Sequence, residues 1–329
     1  MNKRRKLLVA LGAGALASPL ACLAQQQPAK IARIGFLGAT SAAGYASQVD
    51  ALRAGLRELG HVEGKNLVIE FRWAEGKYDR LPELAAELVR LKVDVLVTHG
   101  APGSRAAKMA TTTIPIVLAA VGDPVAQGLV ASLARPGGNI TGSTFFAPEL
   151  MAKRLELVKA ALPRIRRVAV LLNSDHPINN EPTLRAMKTT AGSLKVELQQ
   201  FGVRSPSEFE SALAAMSNRR AEAVVIAEDS LFVANAAAAA SLGTKHRIPA
   251  IGFVEVAEGG GLMGYGVNFP AMYRRAAVFV DKILKGANPG DLPIERPTRF
   301  ELVLNMKTAK ELGIKIPNSI LVRADKVIE

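Results

Sequence analysis

Polar and acidic residues follow several strand-like runs of the sequence, where they could hold a small molecule without covalent chemistry. They are Thr40, Ser41, His99 and Asp123 in the first half of the chain, where Gly100 adds a backbone N–H group, and Asn173, Asp229 and Glu255 in the second. Hydroxyl groups and free backbone N–H groups at helix N-termini suit a bound carboxylate. An acidic side chain suits a bound ammonium group. These positions predict a polar binding site built from loops that follow strands.

Several of these residues have a second role open to them. Thr40 and Ser41 precede a helical stripe, so they could cap that helix as well as contact a ligand. Asp229 could cap the helix that follows it, and we favour ligand contact for its carboxylate. Tyr45 and Phe253 could cover an apolar part of a ligand, although each also suits a hydrophobic core.

The chain lacks the patterns that metal binding, cofactor binding and covalent catalysis need. No histidine has a partner at metal-ligand spacing, so we predict no metal site. The isolated histidines are His61, His99, His176 and His246. Residues 259–264 match a dinucleotide fingerprint by letter, but a helix-like stretch precedes them and a strand follows, whereas that motif needs the opposite order. There is no phosphate-binding loop and no nucleophile elbow. We therefore predict no cofactor and no enzymatic activity.

The chain divides into two halves that share the order and spacing of their elements. Strand-like runs alternate with helical stripes in both. The runs are at residues 32–37, 67–73, 93–98 and 114–119, and again at 167–172, 195–201, 223–227 and 248–252. Arg33 corresponds to Arg167 and Ile114 to Ile248, each after 134 positions. One of the predicted helices follows residues 122–124 and extends to residue 133.

This alternation predicts an α/β fold class with parallel sheets and right-handed crossovers. Two such units give two Rossmann-like lobes. Ligands of open α/β sheets bind beyond the carboxyl ends of the strands, so the expected site is the cleft between the lobes. Closure of the lobes around the ligand is the motion expected of such a pair.

The N-terminus has the order of a secretory signal peptide. Residues 3–6 are basic, residues 7–17 are an apolar run too short to span a bilayer, and cleavage is expected after residue 24. Residues 4–8 also resemble a twin-arginine signal. Residues 19–22 resemble a lipobox, which would make Cys22, the single cysteine, a lipidated N-terminus. We predict a periplasmic protein with residues 1–24 removed, and lipid anchoring through Cys22 is the second alternative.

Short runs along the chain resemble the ABC-transporter substrate-binding family that includes the tryptophan- and tyrosine-type binding proteins. The resemblance extends over residues 31–329 and rests on the runs together. They are residues 56–64 (LRELGHVEG), 72–83 (RWAEGKYDRLPE), 121–125 (VGDPV), 134–142 (ARPGGNITG), 280–286 (VDKILKG), 300–305 (FELVLN) and 323–325 (RAD).

The resemblance implies a type I periplasmic-binding fold, no catalysis, and an ABC permease of the inner membrane as partner. It also implies a small-molecule ligand. The first candidate is an amino acid, and aromatic amino acids are included in that class. An acidic residue at the strand end, here Asp229, is then the natural partner of the ligand amine.

In that fold a three-stranded hinge joins the lobes, which the resemblance places near residues 141–147, 265–270 and 291–298. A helix at residues 271–285 would rejoin the first lobe, and a strand at 300–305 the second. The implied N-terminal lobe is 30–143 plus 268–295, and the C-terminal lobe is 144–267 plus 296–329.

Composition and charge help to judge two other functions, nucleic-acid binding and ligand sensing. The 329 residues carry a net charge of +13, which could attract nucleic acid. The basic residues are scattered without aromatic interleaving, so we expect no nucleic-acid partner. A LacI-like regulator would carry a helix-turn-helix where this chain has its leader. A ligand-sensing subunit of a membrane receptor shares every residue argument and stays open. We expect a monomer.

Overall fold

Two sheets organise the computed structural model, which describes residues 31–175 and 177–329. The first sheet contains β1 (Ala32–Gly38), β2 (Leu67–Trp73), β3 (Val95–His99), β4 (Ile116–Val121) and β5 (Ile140–Thr144). The second contains β6 (Arg167–Asn173), β7 (Glu197–Val203), β8 (Ala223–Ile226), β9 (Ala250–Gly252), β10 (Met263–Gly266), β11 (Glu301–Asn305) and β12 (Lys326–Ile328). The strand orders are β2-β1-β3-β4-β5 and β12-β11-β10-β9-β8-β6-β7.

The internal repeat is visible in these orders, because β2-β1-β3-β4 of the first sheet recurs as β7-β6-β8-β9 in the second. Every neighbouring pair within those two sets is parallel. Central strands such as β3 and β4 are buried along their whole length, as expected for apolar runs covered by helices on both faces. The predicted α/β class with two mostly parallel sheets is confirmed.

Helices cover both faces of the sheets. Those of the first lobe are α1 (Ala46–Glu58), α2 (Leu81–Arg90), α3 (Gly100–Ala110) and α10 (Phe269–Leu284). Those of the second are α4 (Ala147–Ala161), α5 (Pro177–Leu194), α6 (Phe209–Asn218), α7 (Ser230–Ala234), α8 (Ala236–Lys245), α9 (Val254–Glu258), α11 (Met306–Leu312) and α12 (Asn318–Leu321). Helix α10 packs against α1, where an added Cβ on Gly55 would lie 2.7 Å from the Arg274 carbonyl oxygen.

The chain passes between the two sheets at residues 145–146, 267–268 and 292–300. The third passage runs beside the end of β5, which leads into the first passage. The Thr144 N–H donates to the Glu295 carbonyl at 3.0 Å, and the Glu295 N–H donates to the Gly142 carbonyl at 2.9 Å. Residues 31–329 group as one compact unit. The lobe boundaries 30–143 with 268–295 and 144–267 with 296–329 therefore stay a prediction.

Three details differ from the sequence-based expectation. Strand β11 is antiparallel to β10, because the chain leaves the second sheet after β10 and re-enters it from the same end. Residues 124–133 form turns instead of a helix, since Gly128 has φ +66° and the Asp123 carboxylate caps a tight turn. Residues 141–144, assigned to a passage between the lobes, belong to β5 of the first sheet.

The predicted leader, residues 1–24 with Cys22, lies outside the described residues, and so does His176. Within residues 31–175 and 177–329, no helix combines the length and apolar character that crossing a bilayer requires.

The close approach of β5 and β4 generates a stability prediction. Gly142 has φ +136°, and a Cβ there would overlap the carbonyl oxygen of Leu118. Gly142→Ala should lower the free energy of unfolding by roughly 2 kcal/mol or more, because strain and overlap act together. Gly192→Ala is the matched control, since nothing lies near that helical glycine. It should raise stability by up to about 1 kcal/mol. Urea unfolding measures both, and equal effects would refute the packing argument.

Candidate binding site between the two lobes

A cavity lies between the carboxyl ends of the two sheets. The loops after β3, β4 and β8 and the helices α4, α5 and α10 form its walls. The space between the wall atoms, counted together with the open mouth, is about 800 Å³. Of the ten predicted site residues, Tyr45, His99, Gly100 and Asp229 line this cavity.

The two lobes touch at the edge of the cavity. The Tyr78 hydroxyl of the first lobe donates to Oδ1 of Asp229 in the second at 3.1 Å. A Cβ on Gly44 would lie 2.6 Å from the Cβ of Ala234, so a glycine is needed where the backbones meet. The Tyr45 hydroxyl shares a hydrogen bond with Ser230. Small residues and paired hydroxyls thus close this side of the cavity.

Asp229 follows β8 and begins α7. Its Oδ1 accepts from the Leu231 N–H at 2.9 Å and from the Asn173 amide at 2.9 Å, besides the Tyr78 hydroxyl. The capping role is therefore present. All three hydrogen bonds end on Oδ1, so Oδ2 is the oxygen left for a ligand. Capping and ligand contact are compatible in this geometry.

The N-terminus of α3 lies opposite, directly after β3. His99 is its N-cap residue and makes no side-chain capping hydrogen bond. Gly100 and Ala101, the first residues of the helix, line the cavity. Their N–H groups belong to the helix end that carries partial positive charge. An uncapped helix N-terminus of this kind suits a carboxylate.

Four residues that line the cavity contain a buried polar atom without a hydrogen-bond partner among the described residues. The atoms are Nε2 of His99, Oε1 of Gln127, Oε2 of Glu228 and the hydroxyl oxygen of Tyr273. Leaving such a group unpaired costs about 1–3 kcal/mol, so folded proteins rarely do it. Because they belong to residues around one cavity, these four atoms are candidates for hydrogen bonds to a bound polar molecule.

Burial sets the charge of two of these groups. It lowers the pKa of His99 to about 3, so the imidazole is neutral at physiological pH. It also raises the pKa of the Tyr273 phenol well above its usual value. Both side chains therefore offer neutral hydrogen-bonding groups. The charged groups of the cavity wall are the acidic side chains at the end of β8.

The rest of the wall is apolar. Phe145 and Phe269 meet edge to face with ring centroids 5.5 Å apart. Met151 and Val233 line the same cavity. The Tyr45 ring lies 4.1 Å from that of His99, centroid to centroid. A flat or branched apolar group would find van der Waals partners here, as aromatic and thioether side chains commonly provide.

Three predicted residues of the first lobe lie outside the lining of the cavity. Thr40 is buried, and its hydroxyl has no partner among the described residues. The Ser41 hydroxyl accepts from the Gly44 N–H at 3.3 Å, in the turn before α1. Asp123 accepts from the Val125 and Ala126 N–H groups at 3.0 Å each. Ser41 and Asp123 thus have local turn roles.

Three predicted residues of the second lobe also lie outside the lining of the cavity. Asn173 reaches the cavity only through its hydrogen bond to Asp229. Phe253 is fully buried, with its ring 6.0 Å from that of Phe269. Oε2 of Glu255 is buried and has no hydrogen-bond partner in the part of the chain that the structure describes. Burial raises the pKa of Glu255 to about 7, and the nearby charge of Glu258 adds to the rise.

The sequence-based prediction missed a buried ion pair beside the cavity. The Arg154 side chain is fully buried in α4, and its Nη2 donates to Oε1 of Glu228. Its Nε donates to the Tyr265 carbonyl at 2.7 Å. A signal existed, because Arg154 interrupts an apolar helical stripe that includes Met151 and Val158. A charged residue in such a stripe has to be paired inside the protein.

Comparison with known proteins agrees with this architecture. The family described as ABC transporter substrate binding protein matches residues 33–328. The chain belongs to this family.

Individual relatives of this substrate-binding protein are moderately similar. The Tyrosine-binding protein of Clostridioides difficile (strain R20291) is 27% identical over 261 residues, which cover 79% of this chain and 74% of the relative. A conserved domain protein from Vibrio cholerae has a TM-score of 0.84 at 27% identity, covering 91% of this chain and 100% of that one. An ABC domain from Streptococcus pneumonia in complex with L-Trp has a TM-score of 0.82 at 27% identity, covering 90% and 99%.

The raised pKa of Glu255 generates a pH prediction. The unfolded carboxyl loses its proton near its usual value of 4.5, whereas the folded one keeps it to about 7. This contribution to stability is complete below 4.5 and is lost as the pH rises to 7. Glu255→Gln should therefore be more stable than wild type at pH 8, by roughly 3 kcal/mol at most, and equal to it at pH 4.

Urea unfolding at both pH values measures that difference. Glu311→Gln, at an exposed position of α11, is the control and should show no pH-dependent difference from wild type. A Glu255→Gln difference that does not change between pH 4 and pH 8 would refute the buried, protonated carboxyl.

Proposed function

We propose that the protein is an exported substrate-binding protein that holds a free α-amino acid between its lobes and delivers it to an ABC permease. The observation that carries the proposal is the pairing of opposite ligand-binding groups across one cavity. Asp229 offers Oδ2 from the second lobe, and the uncapped N-terminus of α3 offers N–H groups from the first. An α-amino acid carries the matching ammonium and carboxylate.

The charges of the side chains that line the cavity favour some classes of ligand over others. The described residues that line the cavity include Glu228 and Asp229 but no lysine or arginine. A dicarboxylate or a phosphorylated compound would meet acidic side chains without a cationic partner, which is costly in a buried site. A zwitterion with one ammonium and one carboxylate satisfies both ends. The wall therefore favours neutral amino acids over acidic ones.

The side chain of the ligand would meet the apolar part of the wall. Phe145, Phe269 and Met151 provide contacts suited to an aromatic ring. Gln127 and Tyr273 keep buried polar atoms that a phenol or an indole N–H could satisfy. The relatives named as tyrosine-binding and solved with L-Trp support the same class. Aromatic amino acids are thus the first candidates.

Transport is the biological role that agrees both with the family of the protein and with the predicted signal peptide. The family supplies substrates to ABC transporters, and the leader of residues 1–24 has the order of a signal peptide. We place the mature protein in the periplasm, facing an inner-membrane permease.

Ligand binding is tested by thermal shift and calorimetry with the L-amino acids. At 100 times its Kd a ligand stabilises the folded state by about 2.7 kcal/mol, so Tm should rise with tryptophan, tyrosine or phenylalanine. Asp229→Asn should weaken binding by about 2–5 kcal/mol, because the ammonium loses a buried charged partner. Asp123→Asn, on a turn outside the cavity lining, is the matched control and should bind like wild type. Stabilisation by no amino acid, or wild-type affinity in Asp229→Asn, would contradict the proposal.

A further inference from the structure

We infer that Glu228, held in position by Arg154, is a second carboxylate for the ligand ammonium and makes the cavity selective for a primary amine. The inference rests on the proposed function and deepens it. It starts from a carboxylate that is buried, lines the cavity and uses only one of its two oxygens.

The Glu228 side chain is 2% exposed and that of Arg154 0%. Oε1 of Glu228 accepts from Nη2 of Arg154, whereas Oε2 is buried and has no partner among the described residues. A buried carboxylate normally uses both oxygens as acceptors. No donor among the described residues pairs with the second oxygen, so we assign its partner to the ligand.

Charge balance identifies that donor as cationic. Asp229 and Glu228 are adjacent in sequence, and both line the cavity. Arg154 lies behind Glu228 and compensates one of the two negative charges. One negative charge remains in a largely buried place, where an unpaired ion is costly. A ligand ammonium restores neutrality and pairs with both carboxylates.

The geometry of the ammonium group gives the selectivity. A primary ammonium has three N–H donors, so it has enough donors for two carboxylate oxygens, Oδ2 of Asp229 and Oε2 of Glu228, with a third left over. An N-acylated amine or a hydroxyl in its place has fewer donors and no charge. Such analogues leave at least one of the two oxygens, Oδ2 of Asp229 or Oε2 of Glu228, without a donor and bring no positive charge, and sites with buried unpaired groups reject ligands strongly.

Arg154 is a positioning residue, because it lies outside the lining of the cavity. Its Nε donates to the Tyr265 carbonyl at 2.7 Å, and its Nη1 lies 3.3 Å from Sδ of Met151. The guanidinium is therefore fixed on two sides while Nη2 holds Glu228. A lysine ammonium is a point charge and cannot reproduce this fork. Tyr265 lies in β10, just before the chain passes to the first lobe.

Calorimetry with two matched pairs of ligands tests the inference on the full-length protein. The pairs are L-tryptophan with indole-3-propionic acid, and L-tyrosine with 3-(4-hydroxyphenyl)propionic acid, which differ only in the amino group. Wild type should bind the amino acids far more tightly. Glu228→Gln should weaken amino-acid binding at least about tenfold and leave the weak binding of the deaminated acids nearly unchanged.

The double variant R154M/E228Q removes both charges of the buried pair, so it tests the same role without leaving a lone buried ion. If Arg154 acts through Glu228, the double variant should lose no more amino-acid affinity than Glu228→Gln alone. Glu156→Gln, at an exposed position of α4, is the control and should match wild type. Thermal melts confirm that each variant is folded.

Three results would overturn the inference. Unchanged amino-acid affinity in both Glu228→Gln and the double variant would remove Glu228 from the site. Equal losses for amino acids and deaminated acids would show a structural role without selectivity. Failure of wild type to bind any of the L-amino acids would refute the proposed function, and the inference with it. Wild-type binding with unaffected variants would refute the inference alone.

Discussion

One oxygen of the Asp229 carboxylate forms hydrogen bonds to three different elements around the cavity. Oδ1 of Asp229 accepts hydrogen bonds from Asn173 on β6, from the first turn of α7 and from Tyr78 of the opposite lobe. These bonds fix the orientation of the carboxylate and leave Oδ2 for the cavity. Since the Tyr78 bond crosses from one lobe to the other, the residue that we propose as the partner of the ligand ammonium also contributes to the contact between the lobes.

The fold supplies the opposite charge without a cationic side chain. Parallel strands end at the same edge of a sheet, and the following helices begin there, so helix N-termini collect around the cleft. Asp229 caps α7 at this edge, while α3 starts without a side-chain cap. Because of this difference, the second lobe contributes a carboxylate to the cavity and the first lobe contributes backbone N–H groups. A zwitterion complements both.

Much of the fold could be predicted from the sequence, because buried parallel strands appear in it as apolar runs. The internal repeat also showed that both halves have the same order of strands and helices. The structure differs from the prediction where the conformation depends on tertiary contacts or on the path of the chain. Strand β11 is antiparallel because of how the chain returns from the first lobe. The segment at residues 124–133 forms turns because Gly128 adopts a left-handed conformation and Asp123 caps locally.

The site was predictable to a smaller degree. Asp229, His99 and Gly100 lie at strand ends, and the rule for α/β sheets places them at the cavity. Ser41 and Asp123 obey the same rule by position, but local hydrogen bonds occupy their side chains. Arg154 and Glu228 are 74 positions apart, so no local pattern could join them. Only the packing of α4 against the second sheet brings them together.

A crystal structure of the protein with L-tryptophan or L-tyrosine tests the central claim most directly. The account predicts the amino acid between the lobes, with its ammonium within hydrogen-bond distance of Asp229 and its carboxylate at the N-terminus of α3. A ligand bound elsewhere, or one bound in the cavity with its ammonium away from Asp229, would contradict it.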